Sequence, residues 1–152
     1  LATAALLIWA ITTPGLLNTT RITTDPTDVA AIAAADLGLA ALPAGVTAIG
    51  ARQDGFQDRI VWIRLDATET GLDTLLAELD ISRDMLRLAP SRGMDFAFET
   101  FEDADWWRFP VAAGIAGGTE LRSQTLAHLT LTVVKNATIP DLWHLYLQGH
   151  EI

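Results

Sequence analysis

The stretch of this chain densest in reactive side chains is MDFAFETFEDADWWRFP, residues 94–110. There Asp95, Glu99, Glu102, Asp103 and Asp105 stand among Phe96, Phe98, Phe101, Trp106, Trp107 and Phe109. Carboxylates beside aromatic rings are the equipment of a glycoside hydrolase, in which one acid protonates the leaving oxygen and the other serves as base or nucleophile. Glu99 with Glu102 or Asp103 is the pair this spacing offers to a hydrolase. Carboxylates this close can also gather a hard cation such as calcium, but the D-x-D-x-D-G register of a calcium loop is missing. A solvated acidic loop, held to the body by its aromatics, is the simplest expectation for the segment. It has a third use, because Trp106, Trp107 and Arg108 are residue types that anchor protein interfaces. Aromatic rings in a loop can also dock at the level of lipid headgroups.

The other candidates for chemistry are sparse. His144 and His150 share a strand face, but six residues is roughly 20 Å along a strand, too far to share an ion. His128 is expected across a hairpin from His144, which gives two ligands and no third, so no metal site is assigned. Ser82, Ser91 and Ser123 are the serines, and none lies in G-x-S-x-G. Gly114-Ile115-Ala116-Gly117-Gly118 lacks the lysine of a P-loop and the context of a dinucleotide site, and reads as a flexible connector. No catalytic residue and no cofactor follow from any of these patterns.

Charge excludes further classes. The 152 residues carry 10 basic and 19 acidic side chains, a formal net charge of −9. Nucleic-acid binding starts from Lys and Arg neutralising phosphates, so this balance argues against it. The same balance disfavours docking on an anionic membrane through a basic patch. The absence of cysteine removes disulfides, thiolate metal sites and thiol nucleophiles together.

The elements that must position these residues begin with LATAALLIWAITTPGLL, seventeen residues without a charge. As a helix it would span roughly 25 Å, a little short of a ~30 Å hydrocarbon core. Residues 1–17 are therefore expected to be part of a transmembrane anchor, in contact with the lipid bilayer and completed by a few apolar residues ahead of Leu1. A cleaved signal peptide and a buried core helix are the rivals. Arg21 is the sole basic residue before Arg52, which places the following domain on the outer side of the membrane, periplasmic or extracellular. Residues 18–24, Thr-rich, are expected as a tether, and residues 25–152 as a single domain.

Within that domain DPTDVAAIAAADLGL has Asp25 as N-cap, Pro26 at the first helical position and Gly38 as the stop. Residues around 42–55 and 58–68 read as two strands. In the second, Val61, Ile63 and Leu65 alternate with Ile60, Trp62, Arg64 and Asp66. A helix capped by Thr68 or Thr70 follows, with Leu72, Leu75, Leu76 and Leu79 at helical spacing. From Arg83 to Gly118 the chain reads as loop. TLAHLTLTVVKN and DLWHLYLQGHEI alternate cleanly as an antiparallel hairpin. The resulting expectation is an α+β fold: a mostly antiparallel sheet of about four strands, helices on one face, preceded by an N-terminal transmembrane helix.

The stretch LPAGVTAIGARQDGFQDRIVWIRLDATETGLDTLLAEL, residues 42–79, resembles a pattern in uncharacterised membrane-anchored or lipoprotein-like bacterial proteins. The resemblance implies the small α+β domain and the anchor, and it transfers no functional residue. The half-polar strand face carrying Ile60, Trp62, Arg64, Thr130, Thr132, His144 and Tyr146 is the second expected contact surface. The expected role is a membrane-anchored, non-enzymatic accessory subunit. It would meet other membrane-protein subunits through Trp62, Arg64, Trp106, Trp107, Arg108, His144 and Tyr146. An extracytoplasmic module for a small ligand or cation is the alternative, and a hydrolase using the carboxylates of residues 95–105 is a further one.

Overall fold

A computed structural model describes residues 19–55, 58–86, 101–108 and 115–151. In chain order these form strand β1 (Thr19–Thr23), helix α1 (Pro26–Leu37), β2 (Val46–Gly55), β3 (Arg59–Thr68), helix α2 (Glu69–Glu78), a 3-10 turn (Arg83–Met85), β4 (Ile115–Leu121), β5 (His128–Lys135) and β6 (Leu142–His150). The strands make one sheet in the order β1-β2-β3-β6-β5-β4, antiparallel at every pairing. Two three-stranded meanders are thus joined at the middle by β3 and β6.

Both helices start where local chemistry dictates. The Asp25 carboxylate accepts from the backbone N–H of Thr27 and Asp28, and Gly38 closes α1 in the left-handed conformation at φ 72°. The Thr68 hydroxyl accepts from Gly71 N–H to cap α2. Val29, Ala33 and Leu37 of α1 and Leu72, Leu75 and Leu76 of α2 face the sheet. They meet Val61, Ile63, Leu65, Leu129, Leu131, Val133, Leu145 and Leu147 in the main core. Each Val, Leu or Ile among them, fully buried, stabilises by about 1.5–3 kcal/mol relative to exposure.

Two parts of the expected fold are corrected. The sheet has six strands, not about four. Residues 19–23, expected as tether, form edge strand β1, and residues 115–118 of the Gly-rich stretch open edge strand β4, Ile115–Leu121. Neither alternates in polarity. β1 is mostly Thr, exposed or half-buried, and β4 contains Gly117 and Gly118, so both owe their conformation to pairing with β2 and β5. The expected transmembrane helix has no counterpart among the described residues. Residues 1–17 lie outside them, and no described helix is long and apolar enough to cross a membrane.

A β-bulge decides what the second face of the sheet carries. Ala48 pairs with Leu65 and Gly50 with Arg64, so Ile49 is the extra residue. Before the bulge Val46 and Ala48 point to the helices. After it the parity flips: Ala51 joins the main core, while Gly50, Arg52 and Asp54 share the opposite face with Trp62, Arg64 and Asp66.

Candidate functional site

That opposite face is covered by the protein's own residues 101–108. Two turns, Ala104 N–H to Phe101 C=O and Trp107 N–H to Ala104 C=O, fold the segment so that Ala104 and Trp107 point inward. A second cluster results, made of Trp62, Ala104, Trp107, Val134 and Tyr146, with Phe101 and Trp106 packed at its margin. The rings meet edge to face: Trp62 with Phe101 at 5.0 Å, Trp106 with Trp107 at 6.0 Å and Trp107 with Tyr146 at 5.2 Å between centroids. Pairs of this geometry add about 0.5–1.5 kcal/mol beyond their burial. Trp106 lies flat on Gly50, where a Cβ would stand 2.2 Å from an indole carbon.

Three sheet side chains fasten the segment. Arg52 on β2 donates to Asp103 Oδ1 at 2.7 Å and stands over the Phe101 ring at 4.2 Å. Arg64 Nη1 on β3 donates to the Trp106 carbonyl at 2.8 Å, and the Tyr146 hydroxyl on β6 donates to the Arg108 carbonyl at 2.6 Å. Arg64 and Tyr146 are direct cross-strand partners, so they take hold of two carbonyls two residues apart. Burial raises the pKa of the Tyr146 phenol and keeps it a donor.

Beside them lies a polar chain through His144, which is 6% exposed. The Asn136 Oδ1 accepts from the backbone N–H of Thr138 and Ile139, both at 2.8 Å. Its Nδ2 therefore faces His144 Nε2, at 2.9 Å, and Nε2 is the acceptor. The ring proton then sits on Nδ1 and goes to Asp66 Oδ1 at 2.7 Å. Arg64 Nη2, 3.0 Å from the same Nδ1, is a neighbour that interacts with Asp66 Oδ1 at 3.4 Å and does not donate to the ring. A histidine oriented by a carboxylate is the base half of a catalytic triad. Here the nitrogen that would do the chemistry is held by a side-chain amide, with no hydroxyl nucleophile on it.

All seven candidates, Trp62, Arg64, Trp106, Trp107, Arg108, His144 and Tyr146, thus meet in one layer. The two surfaces expected to receive partners separately, the strand face and the Trp106–Arg108 loop, pack on each other. Trp62, Trp107, His144 and Tyr146 are buried, Arg64 and Trp106 half-buried, and Arg108 exposed. Arg108 is ion-paired with Asp105. Of the acidic set, Asp95 and Glu99 lie outside the described residues, and Asp103 is committed to Arg52. Among the described residues no three His, Asp or Glu side chains gather to hold a metal ion.

Asp66 and Asn136 were missed by the sequence reasoning as members of this layer. Asp66 has the parity of Arg64, a signal in plain view, but its pairing with His144 depends on the β3–β6 register. Asn136 opens a turn whose Asx character is legible, though its second bond is not. A further missed network lies at the end of α1. Fully buried Asp36 pairs with Arg59 and accepts from the Thr125 hydroxyl at 2.7 Å.

Five buried side-chain polar atoms among the described residues lack a hydrogen-bond partner: Asp36 Oδ2, Asp54 Oδ1, and the Nε1 of Trp62, Trp106 and Trp107. All but the first lie in the aromatic layer. Comparison with protein-family models, characterised protein sequences and solved structures yields no match.

Proposed function

We propose that this protein is a non-enzymatic interaction domain, an accessory subunit that binds a partner protein through the aromatic layer around residues 101–108. The observation that carries the reading is the set of three indole N–H groups, on Trp62, Trp106 and Trp107, that are buried without an acceptor. A buried donor left unpaired costs about 1–3 kcal/mol, and three within one layer favour a rearrangement that gives them acceptors. Backbone carbonyls of a partner segment are the acceptors that suit them. Asp54, Asp103 and Asp66 each have a cationic or N–H partner through one oxygen, Arg52 for the first two and His144 for the third, and among the described residues no three such groups gather on one point, which disfavours a cation as the occupant. The closed Asn136–His144–Asp66 chain disfavours acid–base catalysis for the same reason. Tryptophan and arginine at the margin, Trp106 and Arg108, are the residue types that dominate interface energetics. Partner binding then moves the 101–108 segment outward, exchanging internal contacts for intermolecular ones.

The test separates ring from N–H. Trp62→Phe and Trp106→Phe keep an aromatic ring and delete the donor. The chain is followed in native extracts, with and without detergent, by size separation and intact-mass analysis. The expected result is migration of the wild type in an assembly well above 16.4 kDa, with weakened association in the phenylalanine variants and no loss of fold. A wild-type chain that migrates alone under both conditions overturns the proposal, as does association unchanged in both variants.

A further inference from the structure

The hairpin β5–β6 ends in a pair of histidines that the aromatic layer does not use. His128 opens β5, His150 closes β6, and the two are direct cross-strand partners. Their rings stack, with centroids 4.9 Å apart and planes 25° from parallel. Both side chains are exposed. On the neighbouring strand Glu120 Oε1 lies 3.0 Å from His128 Nδ1. Glu120 pairs in register with Thr130, so it stands on the same sheet face as His128 and His150.

A carboxylate on Nδ1 has a definite chemical consequence. It takes the ring proton on that nitrogen and leaves the lone pair on Nε2 of His128. This is the arrangement by which carboxylates orient histidine ligands of metals. The second imidazole, directly alongside, places another nitrogen at hand. A divalent transition metal binds imidazole nitrogen at about 2.0–2.1 Å, which brings two ligand nitrogens on one ion to roughly 3 Å apart. Exposed rings already stacked at 4.9 Å are close enough for side-chain rotation to bring two of their nitrogens to that spacing. The formal charge of −9 favours approach of a cation, and the absence of cysteine leaves imidazole as the softest strong ligand the chain has.

We infer that His128 and His150 form a two-histidine chelate for a divalent ion of the zinc, nickel and copper class, with Glu120 as the residue that positions His128 and water completing the coordination shell. No third protein ligand is required or present among the described residues. The site sits at the far end of β6 from His144 and is independent of the partner-binding reading.

Nickel is the probe, added to the full chain without a histidine tag and followed by the imidazole proton signals. The chain has three histidines, and His144, buried with both nitrogens bonded, is the internal control. Substoichiometric nickel is expected to broaden His128 and His150 together, with one midpoint, while His144 stays sharp. His128→Ala and His150→Ala should each lower nickel affinity at least tenfold without altering the far-ultraviolet circular dichroism. Glu120→Gln should lower it by about tenfold or more. Separate midpoints for the two rings, equal affinity in either alanine variant, or no broadening at millimolar nickel overturns the site. An unchanged affinity in Glu120→Gln overturns the positioning role.

Discussion

Replacing Gly50 with alanine tests the aromatic layer at the point where it rests on the sheet. A Cβ there would stand 2.2, 2.5 and 2.7 Å from three carbons of the Trp106 indole. Carbon atoms settle at about 3.5–4.0 Å, so the ring must retreat by roughly 1 Å or more, and it is a rigid body. Its edge-to-face contact with Trp107 then goes, a loss of about 0.5–1.5 kcal/mol. A tryptophan buries about 150–250 Å², worth roughly 4–6 kcal/mol at 25 cal/mol per Å². Trp106 is half-buried and only part of this is forfeited, on the order of 1–3 kcal/mol by the same coefficient. The expected destabilisation is therefore about 2–4 kcal/mol, a fall in Tm of roughly 4–16 °C at about 2–4 °C per kcal/mol for a chain of this length. It should come with a red shift of tryptophan emission and with far-ultraviolet circular dichroism preserved, because the helix-facing core is untouched. Gly55→Ala is the control, since its nearest neighbour, Thr19 Oγ1, would be at an ordinary 3.7 Å. The decisive measurement repeats Gly50→Ala in a Trp106→Ala background. With the indole gone the substitution should be neutral, or stabilise by about 0.4–1 kcal/mol through the unfolded chain. An equal cost in both backgrounds, or no cost in the wild type, refutes the argument that Trp106 packs on Gly50.

The remaining predictions concern caps, the polar chain and pH. Asp25→Ala removes the acceptor of Thr27 and Asp28 N–H and should cost about 1 kcal/mol in urea denaturation, with an unchanged m-value. Asp66→Ala removes the acceptor of His144 Nδ1–H and should cost about 1–3 kcal/mol; a variant as stable as wild type would show that the chain through His144 contributes nothing. The hydrogen bond from the Trp143 indole N–H to Glu69, at 2.5 Å, lowers the Glu69 pKa, and ion pairing with Arg83 assists. A depressed carboxylate stabilises fully above its unfolded pKa, about 4.3, and loses that contribution as pH falls through the folded value. The stability gap between wild type and Glu69→Gln should accordingly be flat above that range and close below it; a gap that persists into strong acid sinks the assignment. Tyr146 has the opposite sign. Its raised pKa makes the folded state hold the phenol proton, so stability is intact below about pH 10 and lost as pH rises beyond it. Tyr146→Phe should flatten that alkaline decline, as read by denaturation at several alkaline pH values.

Much of the fold is legible because its information is local. Asp25 with Pro26 and Gly38 marks both ends of α1. The leucines at 72, 75 and 76 define the buried side of α2. Strict alternation in 128–135 and 142–150 identifies a hairpin and sorts its two faces correctly. The faces of β3 also follow from period two alone. What escapes is β1 and β4, where runs of Thr and Gly have no polarity pattern because edge strands are ordered by one neighbour rather than by burial. The bulge at Ile49 escapes too, since a single extra residue flips parity without a sequence signature of its own.

The candidate layer shows the same division. Trp62, Arg64, His144 and Tyr146 on one sheet face, and Trp106, Trp107 and Arg108 in one loop, stand out from the sequence as two sets of contact candidates. That these two sets meet each other was decided only by the tertiary structure. It required the β3–β6 register that places Arg64 opposite Tyr146 and Asp66 opposite His144, and the bulge that turns Gly50 towards Trp106. The physical reason is that side-chain type and spacing set what a surface can bind, whereas its occupant depends on which distant segment reaches it at the lowest free energy. Here that segment is the protein's own residues 101–108, held by Arg52, Arg64 and Tyr146 from three different strands.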